Sequence, residues 1–66
     1  MWVVVGMAGT KTAALAMEKE LEAEGILVKL RNVTSKTRSR KDTYELLVLA
    51  SEANAARDIL VELGYY

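Results

Sequence analysis

Residues 6–12, GMAGTKT, carry the residue types of a phosphate-binding loop. They lie between an apolar run and a helical pattern, where backbone N–H groups at a helix start can hold an anion. The spacing departs from G-x-x-x-x-G-K-[ST], because the first gap is too short and Thr10 separates the glycine from the lysine. Two interpretations remain, a weak anion site and a plain turn in which Thr10 caps the helix, and the sequence favours the turn. The candidate anion site comprises Gly9, Thr10, Lys11 and Thr12.

A second group of residues suited to binding is a cluster of cations in the middle of the chain. Six of the nine basic residues follow one another without an intervening acid: Lys29, Arg31, Lys36, Arg38, Arg40 and Lys41. Such a basic loop could grip a phosphate, a nucleic acid or an acidic partner. The alternative, which charge runs more often represent, is a solvated loop that keeps a small neutral protein in solution.

Catalytic chemistry has few candidates, since the chain contains neither His nor Cys. The commonest metal ligand, the usual general base near neutral pH and all disulfides are therefore excluded. The glutamates of the first helix lie at i, i+2 spacing and are not predicted to converge in a pocket. We expect no enzymatic activity, no metal and no cofactor.

Composition limits the remaining classes. A chain of 66 residues makes a single domain, 1–66, with a small core. Nine basic and nine acidic residues cancel, so no overall field favours nucleic acid or an anionic membrane. No apolar run approaches the ~20 residues of a membrane span, and no secretion signal is evident. The expectation is a cytoplasmic protein.

The pattern of apolar residues predicts three strands, at 2–6, 26–33 and 43–50, and two helices, at 10–24 and 51–63. Thr10 and Ser51 are predicted N-caps, and Gly25 and Gly64 are predicted helix ends. The polar residues 34–42 are predicted to form a loop. The order is β-α-β-β-α. A right-handed crossover makes the first two strands parallel, so the third, most apolar strand should lie between them.

The predicted fold is therefore α+β, a three-stranded sheet of order 1-3-2 with both helices on one face. It is a ferredoxin-like fold that lacks its last strand. The first strand is then a bare edge without Lys, Pro or a bulge. Alternation turns Tyr44 towards the helices and leaves an exposed apolar patch on the other face, unless Trp2 folds over the sheet end and the alternation slips. The patch residues, beside Lys29 and Arg31, are Trp2, Val4, Leu47 and Leu49.

Four features of the sequence together resemble a known group of proteins. They are a Trp at the start of the first strand, the segment LEAEGI at 21–26, the segment YELLV at 44–48 and a Ser-led helix ending in Leu-Gly. This group comprises small bacterial proteins labelled prokaryotic signal-transducing proteins, whose function is unknown. The chain is also similar to short Firmicutes proteins that sometimes carry the label glutamate decarboxylase. The resemblance implies a β-α-β-β-α fold and supplies no catalytic residue. Relatives often have Asn or Pro in the turn after the first strand, where this chain has Ala8-Gly9-Thr10, and Pro near Leu49.

A decarboxylase that uses pyridoxal phosphate must enclose a large cofactor, which 66 residues cannot do alone. The sequence therefore predicts a non-enzymatic interaction or signalling module, with a homodimer or another protein as partner. The alternative is a nucleotide- or anion-binding regulator that uses residues 9–12 and the basic loop at 36–41. The third possibility is a weak RNA binder that uses this loop and Trp2, although nucleic acid is not the expected partner.

Overall fold

A computed structural model describes residues 1–34 and 42–65 of the chain. Its elements follow the predicted order: β1 (Trp2–Ala8), α1 (Lys11–Ala23), β2 (Val28–Thr34), β3 (Asp42–Leu49), a short 3-10 turn (Ala50–Glu52) and α2 (Ala53–Glu62). Four of the predicted loop cations, Lys36, Arg38, Arg40 and Lys41, lie outside the described residues.

The sheet has the strand order β1-β3-β2, and both neighbouring pairs are antiparallel. Strands β1 and β2 therefore run in the same direction on either side of β3, and α1 connects them. The predicted α+β fold and the central place of the third strand are confirmed. Strand β3 suits this place because Leu46, Leu47 and Val48 are all buried, so it has apolar contacts on both faces.

The core lies between the sheet and the two helices. Leu46 and Val48 point from the central strand towards the helices and are completely covered. Leu21 of α1 and Leu60 of α2 cover them from above and are equally inaccessible. Burying one such side chain contributes about 1.5–3 kcal/mol, so these four leucine and valine positions hold the two layers together.

Three of the four predicted helix ends are confirmed. The Thr10 hydroxyl accepts a hydrogen bond from the Ala13 N–H at 3.1 Å, which fixes the start of α1. Gly25 and Gly64 both have φ of 86°, the left-handed conformation that ends a helix. After α1, the Ile26 N–H donates to the Leu21 carbonyl at 3.1 Å, which is the bond of a Schellman motif.

The prediction that Ser51 caps the second helix is wrong. Ser51 lies inside the 3-10 turn, and α2 begins at Ala53 after Glu52, without a side-chain cap. The chain leaves Leu49 in an extended conformation, and the Ala50 N–H donates to the Met1 carbonyl at 2.8 Å. This bond to the chain start holds the turn in place, so the helix does not depend on a serine hydroxyl.

The predicted end of the first strand and the predicted absence of a bulge are also wrong. β1 continues through Gly6 and Met7 to Ala8, and its register against β3 shifts between Val4 and Gly6. Val5 and Gly6 are both buried, so the extra residue reverses the alternation for the rest of the strand. As a result Ala8 enters the core, and Met7 points to solvent with 58% of its surface exposed.

Candidate functional site

The face of the sheet opposite the helices, which we call the outer face, carries most of the predicted binding residues. Strand pairing aligns them in rows: Val4 lies opposite Leu47, which lies opposite Lys29 on the far side. In the next row Met7, Glu45 and Arg31 are aligned in the same way. The structure therefore brings Trp2, Val4, Leu47 and Leu49 together with Lys29 and Arg31, as alternation predicts.

Leu47 is better covered than the sequence suggests. It is predicted to be exposed, yet only 9% of its surface is accessible, although it does not belong to the core cluster. Lys29 and Trp2 line the same cleft as Leu47, and the Lys29 Nζ lies 4.7 Å from the centre of the Trp2 ring. Lys29 on β2 lies in the row of Leu47 and Trp2 on β1 in the row of Leu49, so their contact crosses β3 diagonally beside Leu47. Trp2, Val4 and Leu49 are half-buried rather than exposed.

Arg31 and Glu45 form an ion pair on the same face. The Arg31 Nε donates to Glu45 Oε1 at 2.7 Å, and Nη2 donates to the same oxygen. The guanidinium is well exposed whereas the carboxylate is mostly covered, with side-chain accessibilities of 58% and 17%. An exposed pair of this kind contributes up to about 1 kcal/mol to stability. Its clearer effect is to neutralise the acid at the centre of the face.

Trp2, Lys29, Leu30, Arg31 and Leu47 line an open cleft of about 380 Å³ on this face. The cleft combines one aromatic ring, one ammonium and one guanidinium over an apolar floor. Such a lining can stack a flat ring and hold a negative charge beside it.

The turn at residues 9–12, the candidate anion site, lies apart from the Trp2 ring of the cleft. Gly9, Thr10, Lys11 and Thr12 are all exposed, and the Thr10 hydroxyl is used in the helix cap. Gly9 and Trp2 are seven residues apart along an extended strand, which corresponds to roughly 23 Å. The structure therefore does not bring the turn together with the Trp2 end of the cleft, whereas Arg31, in the row of Met7, lies nearer to the turn. Ala8 pairs with Tyr44 at the sheet end where β2 stops and β3 starts, near the chain ends that flank residues 35–41.

Other predicted features can be placed as well. Tyr44 is half-buried and packs against the core, as alternation predicts, so it offers no ring to a base on the outer face. Within residues 1–34 and 42–65, no group of three or more acidic side chains is arranged to hold a metal ion. In the same ranges no helix is long and apolar enough to cross a membrane.

Sequence reasoning missed two contacts, Lys29 on Trp2 and Arg31 with Glu45. The signal for their shared face was present, since alternation places all four side chains outward. The signal for their pairing was not, because pairing depends on the register between strands. The composition of residues 35–41 does not fix that register.

Comparison with known proteins identifies no relative of this chain. No family model matches the chain, and no curated protein and no solved structure matches it either. The resemblance to small bacterial signal-transducing proteins therefore stays a prediction.

Proposed function

We propose that this protein is a non-enzymatic interaction module that pairs with a second copy of itself through strand β1. A bacterial, cytoplasmic setting is part of the proposal. The lack of His and Cys supports the non-enzymatic part, since the commonest general base near neutral pH and the thiolate nucleophile are missing from the sequence.

The observation that carries the proposal is the character of β1 as an edge. Within the described ranges β1 pairs with β3 alone, so one side of its backbone has no strand beside it. Its seven residues, WVVVGMA, include no charge and no proline. An edge strand of this kind is a ready template for another strand. β2, the opposite edge, carries Lys29 and Arg31 and is protected by them.

The bulge at Val4–Gly6 limits how strong this pairing can be. A bulge twists an edge strand and interrupts its flat stretch. The paired segment is therefore short, and the interface lies below the area of a permanent dimer. We expect a dimer that dissociates in the micromolar range or above, so that its formation responds to the concentration of the protein. This behaviour suits a regulatory module.

Sedimentation equilibrium combined with amide hydrogen exchange tests the proposal. We expect a monomer–dimer equilibrium, and slower exchange of β1 amides at high concentration while the amides of β2 stay unchanged. Exchange that shows no dependence on concentration in β1, or a pure monomer at millimolar concentration, would contradict self-pairing.

Two matched variants locate the contact. Met7→Lys places a charge on the exposed side of β1, and Val33→Lys does the same on β2. Both side chains are exposed apolar residues in edge strands, so both substitutions should leave the fold intact. Met7→Lys should weaken the dimer at least about tenfold because lysine protects an edge, whereas Val33→Lys should not. Equal effects of the two variants would point to another interface.

A further inference from the structure

We propose that the cleft on the outer face binds a free nucleotide, with its base on Trp2 and its phosphate between Lys29 and Arg31. This site goes beyond the proposed self-pairing and uses a different surface. Pairing along the edge of β1 leaves the outer face open, so the cleft is accessible in a monomer and in an edge-paired dimer.

The aromatic half of the site is the Trp2 ring. In the free protein, one face of this ring is covered by the Lys29 ammonium at 4.7 Å, a cation–π contact. A lysine is a flexible cover, because its long stem can swing aside while Leu47 keeps the floor of the cleft apolar. A nucleobase can replace the ammonium on the ring, since bases stack well on indole.

The half of the site that binds the phosphate forms when the Lys29 side chain swings away from the Trp2 ring. An ammonium displaced from the ring stays within reach of a charge attached to the base. Arg31 supplies the second cation, because its described hydrogen bonds use Nε and Nη2 on one side of the guanidinium. Within the described part of the chain, Nη1 has no acceptor, and more than half of the side chain is exposed. A phosphate can therefore be held without breaking the pair with Glu45.

Size and charge favour a ligand that combines a flat ring with an anionic group, and a nucleotide has both. The cleft, about 380 Å³, lies at the small end of ligand sites and suits one base with its phosphate. An uncharged ring would lose the ammonium–ring contact without gaining an ion pair. Inorganic phosphate alone would leave the ring unused. Only a ligand that is both flat and anionic replaces every contact that it displaces.

The single tryptophan of the chain makes the test direct. The indole N–H signal of Trp2 and its fluorescence should be followed during separate titrations with AMP, adenosine, inorganic phosphate and a short single-stranded RNA. We expect saturable quenching and a shift of the indole signal with AMP, and binding of adenosine at least about fivefold weaker. Equal affinities for AMP and adenosine would overturn the anionic half. Phosphate binding without any indole shift, together with no response to AMP, would overturn the site.

The Lys29→Gln variant tests the proposal that Lys29 leaves the Trp2 ring and binds the phosphate of the nucleotide. It should weaken AMP binding about tenfold, the loss expected for one charge-assisted contact. Adenosine should bind the variant slightly more tightly than the wild type, because the ammonium–ring contact that it displaces is absent. Lys11→Gln, in the exposed turn at the other end of β1, is the matched control and should bind AMP normally. A loss of AMP binding in Lys11→Gln would move the site to the turn. RNA binding far tighter than AMP binding would overturn the assignment to a free nucleotide.

Discussion

At the level of single residues, Glu18 shows how folding changes an ordinary side chain. It lies half-buried on α1, one helical turn before Glu22. Burial raises the pKa of its carboxyl above the usual value of 4.5, and the Glu22 carboxylate raises this pKa further. The folded state therefore binds the proton more tightly than the unfolded state. Ionised Glu18 opposes folding above the raised pKa, and this cost disappears as the pH falls below 4.5.

The Glu18→Gln variant should accordingly be more stable than the wild type at neutral pH. Solvent screening at this half-exposed position limits the gain to about 0.3 kcal/mol in the free energy of unfolding, the size of a like-charge pair on a helix surface. Urea titrations at several pH values should show the gain shrinking as the pH drops through the raised pKa to 4.5. Glu22→Gln removes the second cause alone and should give a smaller gain. A gain that persists undiminished well below pH 4.5 would refute this explanation.

The outer-face residues show what a sequence predicts about single side chains. The two-residue period of a strand correctly places Trp2, Val4, Lys29 and Arg31 on one face. It cannot predict that Lys29 reaches across a neighbouring strand to the Trp2 ring, because this contact depends on the register of three strands and on one rotamer. The same limit explains why Leu47 is expected to be exposed and is covered.

At the level of elements, the sequence predicts helix ends better than strand details. Thr10, Gly25 and Gly64 are recognisable because capping and left-handed backbone need particular residue types. Ser51 is also a residue type that caps helices, but the prediction is wrong because the chain passes through a 3-10 turn at this position. The sequence gives only a weak indication of the bulge in β1. A glycine within a strand, here Gly6, favours a bulge, but the three valines before it do not show where the alternation of side chains changes.

The left-handed end of α1 gives a prediction with an internal control. An added Cβ at Gly25 would meet no atom within 4 Å, so Gly25→Ala should cost stability through backbone strain alone. With φ of 86° we expect a loss of about 1–2 kcal/mol. Gly9 has the same open surroundings without the left-handed φ, so Gly9→Ala should be neutral or stabilise by up to about 1 kcal/mol. Urea unfolding of both variants at one protein concentration measures the difference, and equal losses would contradict a strain-based cause.

At the level of the whole molecule, size makes stability and association inseparable. A chain of 66 residues has a small core, here a single layer between three strands and two helices. Domains of this size have only about 3–10 kcal/mol of stability. The fold could be predicted because alternation, helix period and crossover handedness all favour one topology. The sequence reveals less about how the molecule supplements a small core, since edge pairing depends on surfaces that the bulge reshapes.

If β1 pairs with a second copy, thermal unfolding has to depend on protein concentration. Association stabilises the folded state by mass action, by about 0.7 kcal/mol per protomer for each tenfold increase above the dissociation constant. For a domain of this size that corresponds to a rise of about 3–6 °C in Tm per tenfold increase. Calorimetry from about 20 µM to 2 mM measures this rise. Val33→Lys should retain the dependence, whereas in Met7→Lys the rise in Tm should begin only at a protein concentration at least about tenfold higher than in the wild type. A wild-type Tm that is constant over this range would mean that the edge of β1 stays unpaired in solution, whatever its sequence favours.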